Sequence, residues 1–257
     1  MAFEHATRAS KGARSYQEDA VAVREEPAGG GAGGRLADSL IAVLADGMGG
    51  HTGGAIASST ACEAFVSAFA AASGDEANRL EEALYEANLA IAGGVADNPA
   101  LIGMGCTLVG TVFGPSGLQW VSVGDSPLFL VRGGQIAQLN ADHSLAPEID
   151  KLAAAGKMSW EVARADPRRH YLRSAVTGAE IEMIDRSPAP VALTTEDIVI
   201  LASDGIQTLS QESILDVALR YASEGPDAVA RALLAAVGAV GEPHQDNATV
   251  VVVGKSG

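Results

Sequence analysis

The chain reads Leu40-Ile41-Ala42-Val43-Leu44-Ala45-Asp46-Gly47 at the point where its fold is decided. Six apolar residues are followed by an acid and a glycine, which is the pattern of a buried strand that ends in a turn. Because a strand is rigid, an acid at its end is held in a fixed place. The stretch therefore predicts a core strand, and it makes Asp46 a candidate for a functional site.

The same arrangement recurs at other apolar runs. Asp204 follows the run 198–203, and Asp246 comes just before the run 248–253. The other acids that border such a run are Glu18, Asp19 and Asp125. A single Asp-Gly pair most often forms only a turn. A group of acids this large, with few Lys or Arg residues nearby, would repel itself unless divalent cations neutralised it. The recurrence therefore favours a metal site where these strand ends meet.

Composition limits the classes of protein that the chain can represent. Its 257 residues, of which 47% are hydrophobic, are enough for one globular domain spanning residues 1–257. The net charge of −15 argues against a nucleic-acid partner, because binding phosphate backbones needs a basic surface. No run of roughly 18 apolar residues and no basic leader followed by an apolar segment occurs, so we expect no membrane association and a cytoplasmic location. We also expect a monomer. Cys62 and Cys106 are expected to be small buried hydrophobes.

Two long segments have the spacing of amphipathic helices. One carries Phe65 and Phe69 on one face, and the other carries Leu84. Two further helices are predicted at 211–221 and 226–240. Each has a single apolar stripe, so each is expected to cover a sheet.

The remaining apolar runs are short and separated by turn residues, which predicts β-strands. These runs cover residues 20–23, 40–45, 107–113, 118–123, 128–131, 135–139, 182–185, 198–202 and 248–253. Segment 107–139 is predicted to form one antiparallel meander, and the glycine-rich residues 29–34 a flexible surface loop. Strands and helix pairs in separate blocks indicate an α+β layered domain.

Six blocks of residues, spread over nearly the whole chain, carry a family resemblance. They are Arg14–Asp19, Ala45–His51, Gly105–Leu108, Val123–Ser126, Ala202–Gly205 and Asp246–Thr249. In this order they resemble the metal-dependent protein serine/threonine phosphatases of the protein phosphatase 2C type. The resemblance implies a central antiparallel β-sandwich flanked by pairs of α-helices, a four-layer αββα arrangement, with a metal centre at one edge.

The resemblance also implies a set of metal ligands. Asp46 is expected to bridge two ions, with the Gly47 carbonyl as a ligand of the second. Asp204 and Asp246 complete this set, and Asp125 is expected to help hold a third, weaker ion. Oxygen ligands suit Mn²⁺ or Mg²⁺. Two such ions would activate a shared water for attack on a phosphate ester.

Three residues are assigned to catalysis by the same resemblance. Arg14 is expected to bind the substrate phosphate, since its guanidinium fork fits two phosphoryl oxygens. Glu18 and Asp19 are expected to orient metal-bound waters. Met48 stands where some relatives have a His that protonates the leaving group, as in many bacterial members. The proton donor is left open between His51 and a water, and a water is favoured.

Residues 142–177 correspond in position to the family's flap, a variable insertion beside the active site. Short helices are predicted near 146–155 and 159–165, and the insertion is expected to be mobile. Its His143 and His170 are expected at the surface or as capping residues, although they bracket the insertion and could touch substrate. The insertion also carries a basic cluster of Arg164, Arg168, Arg169 and Arg173. This cluster either guides a phosphopeptide or consists of solvated helix ends.

These observations predict a bacterial Mn²⁺- or Mg²⁺-dependent phosphatase that acts on phosphoserine and phosphothreonine in proteins and opposes a bacterial Ser/Thr kinase. One alternative is a regulatory phosphatase that acts on an anti-anti-sigma-type partner. The other is a pseudophosphatase that only binds phosphoproteins. The pseudophosphatase predicts missing ligands, whereas Asp46, Asp204 and Asp246 are all present.

Overall fold

The computed structural model describes residues 3–26, 39–50 and 52–255. The predicted loop at 29–34 and His51 lie outside these residues. The described strands are β1 (Phe3–Ser10), β2 (Ala20–Glu26), β3 (Ser39–Ala45), β4 (Gly47–Met48), β5 (Gly105–Cys106), β6 (Leu108–Gly114), β7 (Gly117–Val123), β8 (Leu128–Arg132), β9 (Gln135–Gln138), β10 (Asp185–Arg186), β11 (Ile198–Ala202) and β12 (Ala248–Lys255). The helices are α1 (Thr52–Ala71), α2 (Glu76–Asp97), α3 (Ala146–Ala154), α4 (Trp160–Ala165), α5 (Gln211–Tyr221) and α6 (Pro226–Val240).

Two five-stranded antiparallel sheets form the centre of the fold. The first has the strand order β1-β12-β11-β8-β9, and the second has the order β10-β7-β6-β3-β2. A small two-stranded sheet joins β4 to β5. The strand ends on one side of the two sheets carry the acids that the sequence singles out.

Three hydrophobic layers separate the sheets and helices, and β3 shows how they arise. Leu40 and Leu44 point into the core between the two sheets, whereas Ile41 and Val43 point into the core under α1 and α2. Successive side chains of a strand face opposite sides, so a strand buried on both faces must be apolar throughout. A third core lies between the first sheet and helices α5 and α6. The predicted four-layer αββα sandwich is confirmed.

The predicted meander over 107–139 is wrong. Strands β6 and β7 form one hairpin in the second sheet, and β8 and β9 form another in the first sheet. The bend from Gly124 to Pro127 carries the chain from one sheet to the other, and Gly124 adopts a φ of 102° there. Turn residues mark the hairpins correctly, but they do not tell which sheet each hairpin joins. The bend places Asp125 at the edge of the sandwich.

Helix α1 carries the predicted apolar face with Phe65 and Phe69. By length and composition alone, it is the one described helix that could cross a membrane. Its Ala57, Ala61, Phe65 and Phe69 are buried in the core beneath the second sheet. The same composition is typical of a helix that covers a sheet, as this one does. Both cysteines of the chain are described; they are buried free thiols, as predicted.

The flap-like insertion has a small core of its own. Helices α3 and α4 pack together through Ile149, Ala153 and Ala163. Ser159 caps α4, because its Oγ accepts a hydrogen bond from the N–H of Val162 at 3.1 Å. Both predicted helices of the insertion are therefore observed.

Candidate active site

A cleft of about 820 Å³ opens at the edge of the sandwich where the acid-bearing strand ends meet. The predicted site residues that line it are Arg14, Glu18, Asp46, Gly47, Asp125, Asp204 and Asp246. Asp19 lies just behind this lining, close enough for its charge to act on Asp46. The fold therefore brings together residues that are separated by up to 232 positions in the chain.

Asp46 is fixed by its main chain at the end of β3. Its N–H donates to Thr107 Oγ1 at 3.1 Å, and its carbonyl accepts from the N–H of Thr107 at 2.9 Å. The next residue, Gly47, donates to the carbonyl of Glu18 at 3.1 Å. A Cβ atom at Gly47 would overlap the carbonyl oxygens of Gly54 and Glu18. Glycine is thus required here for close packing of the main chain, and not only for space around a bound ion.

Asn247 joins the segment 11–18 to the segment before β12. Its buried side chain accepts from the N–H of Glu18 at 2.8 Å and donates to the carbonyls of Lys11 and Tyr16 at 2.9 and 3.0 Å. A Cβ atom at Gly205 would overlap the Asn247 carbonyl, so glycine lets the turn after β11 approach this residue. Sequence alone does not reveal this role of Asn247, because its partners lie far away along the chain.

Asp19 and Glu18, which lie beside the acid cluster, each carry one unsatisfied carboxylate oxygen. Asp19 Oδ2 accepts hydrogen bonds from Ser203 Oγ at 2.8 Å and from Thr249 Oγ1 at 2.6 Å. Asp19 Oδ1 and Glu18 Oε1 are buried without a hydrogen-bond partner among the residues that the structure describes. Buried acceptors of this kind are costly unless something binds them.

The cleft concentrates negative charge. Burial, followed by the charge of Asp204, raises the pKa of Asp46 well above its usual value. Burial raises the pKa of Asp125 to about 7 and that of Asp19 to about 6. Burial and the charge of Asp246 also raise the pKa of Asp204, whose carboxyl group is hydrogen-bonded to that of Asp46. These carboxylates stabilise the folded chain poorly as bare anions.

The donor set fits hard divalent cations. In the described ranges 3–26, 39–50 and 52–255, no three His, Cys, Asp or Glu side chains close into a ready-made metal cage. The acids instead line a common cleft, where their negative charges repel one another. Asp246 is paired with Arg14. The carboxylates and the Gly47 carbonyl supply oxygen donors, and two carboxylate oxygens are buried acceptors without a partner in the described part of the chain. This chemistry suits Mg²⁺ or Mn²⁺.

The flap forms the opposite wall of the cleft, but its basic cluster is largely neutralised. Arg168 is paired with Asp166 at 2.6 Å, and Arg169 with Asp150 at 2.5 Å. The interpretation of these two arginines as substrate guides is therefore not supported. Arg173 lines the cleft and makes a longer, exposed contact of 3.3 Å to a glutamate of α3.

The two histidines of the flap have different environments. The prediction for His143 is wrong: its side chain is buried, and Nδ1 accepts from the N–H of Gly124 at 3.2 Å. Its main chain also bonds to Gly124 and to Arg173. His170 lines the cleft. A buried histidine beside Asp125 could not be recognised from spacing, because its partner is a main-chain group.

Comparison with known proteins identifies the family. A family model described as protein phosphatase 2C matches residues 30–233. The chain belongs to the protein phosphatase 2C family. Over 98% of its length it is 33% identical to the serine/threonine protein phosphatase PstP of Mycobacterium tuberculosis, of which it covers 45%. The chain thus spans about half the length of the curated PstP proteins from two strains of this organism.

Two further similarities extend this family assignment. The serine/threonine phosphatase stp of Listeria innocua is 32% identical over 185 residues, which cover 70% of this chain and 71% of that protein. A crystal structure of the PstP catalytic domain in complex with two manganese ions is 30% identical, with a TM-score of 0.75 and coverage of 98% of this chain and 97% of that one. The fold described above is thus that of a phosphatase family.

Proposed function

We propose that the chain is a Mn²⁺- or Mg²⁺-dependent phosphatase that hydrolyses phosphoserine and phosphothreonine in proteins. The observation that carries the proposal is the meeting of half-buried and buried, mutually repelling carboxylates with an arginine at the mouth of one cleft. A structure of a relative with two manganese ions supports the choice of cation. The names of the phosphatase relatives support the choice of substrate.

Asp46, Asp204, Asp246 and the Gly47 carbonyl would hold two ions, and Asp125 a third, weaker one. When bound, such ions supply positive charge against the phosphoryl oxygens and lower the pKa of a water molecule. Everything else in the reaction has to come from the chain and from solvent.

Three residues of the chain have roles beyond binding ions. The Arg14 guanidinium offers two parallel N–H donors to the substrate's phosphoryl oxygens. Glu18 and Asp19 each have a buried carboxylate oxygen without a partner among the described residues, and these oxygens would accept hydrogen bonds from waters and so fix their direction. Met48 lines the cleft and has no proton to give, so we infer that the seryl or threonyl oxygen takes its proton from water.

The test is hydrolysis of p-nitrophenyl phosphate and of phosphoserine, phosphothreonine and phosphotyrosine peptides, with Mn²⁺ or with a chelator. We expect turnover only with the metal, and turnover of phosphoserine and phosphothreonine peptides in preference to phosphotyrosine. Asp204→Asn is expected to lower turnover by more than about a hundredfold. Asp216→Asn, an exposed position on α5, is the matched control and should not change it.

A folded wild-type chain without turnover at any metal concentration would contradict the proposal. That result would favour the pseudophosphatase, whose role is binding alone. The preference for an anti-anti-sigma-type substrate, the cognate kinase, the cytoplasmic location and the monomeric state stay predictions. Phosphoproteomics of a deletion strain would identify the physiological substrates.

A further inference from the structure

Two buried hydroxyl groups lie between the segments that carry Asp46 and Asp125. Thr107 Oγ1 and Ser126 Oγ are 2.7 Å apart and form a hydrogen bond. Thr107 precedes β6, and Ser126 belongs to the bend between β7 and β8. The bond therefore connects the two sides of the acid cluster through side chains that carry no charge.

Thr107 holds Asp46 from two directions. Its N–H donates to the Asp46 carbonyl at 2.9 Å, and its Oγ1 accepts from the Asp46 N–H at 3.1 Å. The neighbouring pair, Gly47 opposite Cys106, continues this contact into the small β4–β5 sheet. The position of the Asp46 carboxylate is thus tied to that of Thr107.

Ser126 is held equally firmly on the other side. Its carbonyl accepts from Asn140 Nδ2 at 2.9 Å, and Asn140 Oδ1 accepts from the N–H of Leu128 at 2.8 Å. The bend also packs directly on Thr107, because a Cβ atom at Gly124 would overlap the Thr107 methyl group. Asp125 lies between Gly124 and Ser126, so its main chain cannot move independently of this contact.

We propose that Thr107 and Ser126 are positioning residues whose hydroxyl pair sets the spacing between Asp46 and Asp125, and thereby the affinity of the cleft for divalent cations. The inference rests on the cation site of the proposed function. Neither residue has to touch an ion. The competing explanation is that two buried hydroxyls merely satisfy each other, as buried polar groups generally do.

The test is isothermal titration calorimetry, in which Mn²⁺ is titrated into the purified protein. The thermal unfolding of the metal-free protein is measured in parallel. Thr107→Val keeps the shape of the side chain but removes the hydroxyl, and it should raise the Kd for Mn²⁺ by about tenfold. Thr107→Ser restores the hydroxyl and should stay within about twofold of the wild type. Since the two hydroxyls act as a pair, Ser126→Ala alone should also raise the Kd for Mn²⁺, and it should add little when combined with Thr107→Val.

Thr111→Val is the matched control. Thr111 is also buried and lies in β6. The Val variant lacks one hydrogen bond, which Thr111 Oγ1 donates to the Ala42 carbonyl at 2.9 Å in the wild type. It should lower stability without changing the Kd for Mn²⁺. The inference is overturned if Thr107→Val binds Mn²⁺ as the wild type does, or if Thr111→Val weakens binding equally.

The proposed function and this inference fail in different ways. A wild type that binds Mn²⁺ but hydrolyses no phosphate ester contradicts the proposed function, while the binding titrations still decide the inference. A wild type that binds no Mn²⁺ overturns both. A Thr107→Val variant that loses affinity, with Thr107→Ser restoring it, supports the positioning role whatever the turnover.

Discussion

Arg14 and Asp246 form an ion pair across the mouth of the cleft, through Nη2 of the guanidinium and Oδ2 of the carboxylate. The pair joins the turn after β1 to the segment before β12. Both side chains are substantially exposed, so the pair contributes little to stability. The pair matters for position, because it keeps the Arg14 guanidinium at the edge of the acid cluster.

Arg14→Ala should impair phosphate binding without unfolding the chain. A hydrogen-bonded charge is worth about 1.5–3 kcal/mol, so we expect kcat/KM for p-nitrophenyl phosphate to fall by roughly 10- to 150-fold. Arg14→Lys should recover only part of this, because an ammonium group cannot form the two parallel bonds of the fork. Steady-state kinetics with Mn²⁺ and thermal unfolding of each variant provide the measurement.

The control for this prediction is Arg8→Ala. Arg8 also forms an exposed ion pair, with Asp227, but away from the cleft. It should leave kcat/KM unchanged. Equal losses in the two variants would mean that general surface charge, and not the placement of Arg14, governs phosphate binding.

The raised pKa values predict that the metal-free chain becomes more stable as the pH falls towards 5. Aspartate in an unfolded chain titrates near pH ~3.9, whereas the pKa of Asp125 is about 7 and that of Asp19 about 6. Between these values the folded state binds more protons than the unfolded state. The free energy of unfolding therefore decreases as the pH rises, by up to about 1.4 kcal/mol per pH unit for each such group.

Asp125→Asn isolates one of these groups. His143 has the opposite effect on the pH dependence of stability. Burial lowers its pKa, so on acidification the unfolded chain binds this proton more readily than the folded chain does. This contribution is common to the variant and the wild type. With a chelator present, Asp125→Asn should be more stable than the wild type at pH 8, and the difference should shrink towards pH 5. Urea unfolding at both pH values measures the difference in the free energy of unfolding between the variant and the wild type. A difference that stays constant or grows on acidification would contradict the prediction.

Part of the fold could be predicted because local signals and tertiary packing agree. Helix α5 was predicted with its observed bounds; it begins after Ser210, whose Oγ accepts from the N–H of Ser213 at 3.2 Å. Helix α6 begins at Pro226 and ends before Gly241, which has a φ of 71°. Capping residues of this kind are visible in a sequence.

Other parts could not be predicted because their partners are distant in sequence. Strand β1 was missed, since it is an edge strand with mostly exposed or half-buried side chains and no apolar alternation. The acids of the cleft were found because each borders an apolar run. Asn247 and Thr107 were not assigned to the site, because their roles depend on main-chain groups that only the folded structure brings near.

The flap's arginines should differ in their effect on substrate binding. Arg173 lines the cleft, and its exposed contact to Glu148 is weak enough to be exchanged for a substrate group. Arg173→Ala should raise KM for phosphopeptides by about two- to fivefold, with a smaller effect on p-nitrophenyl phosphate, which has no peptide to contact the flap. Arg168→Ala is the control, because its guanidinium is already bonded through Nε and Nη2 to Asp166. A larger effect from Arg168→Ala would show that the flap's ion pairs open when substrate binds.

His143 should be a stability determinant that links the flap to the bend at Asp125. Its imidazole is buried, and it is the acceptor for the Gly124 N–H at 3.2 Å. In His143→Ala this N–H loses its acceptor inside the protein, which costs about 1–3 kcal/mol in the free energy of unfolding. His143→Asn should recover part of the loss, since Oδ1 can accept in place of Nδ1. His244→Ala, at an exposed position, should stay within about 0.5 kcal/mol of the wild type. Urea unfolding decides the matter: if His143→Ala and His244→Ala unfold at the same urea concentration, the Gly124 contact does not hold the flap to the sandwich.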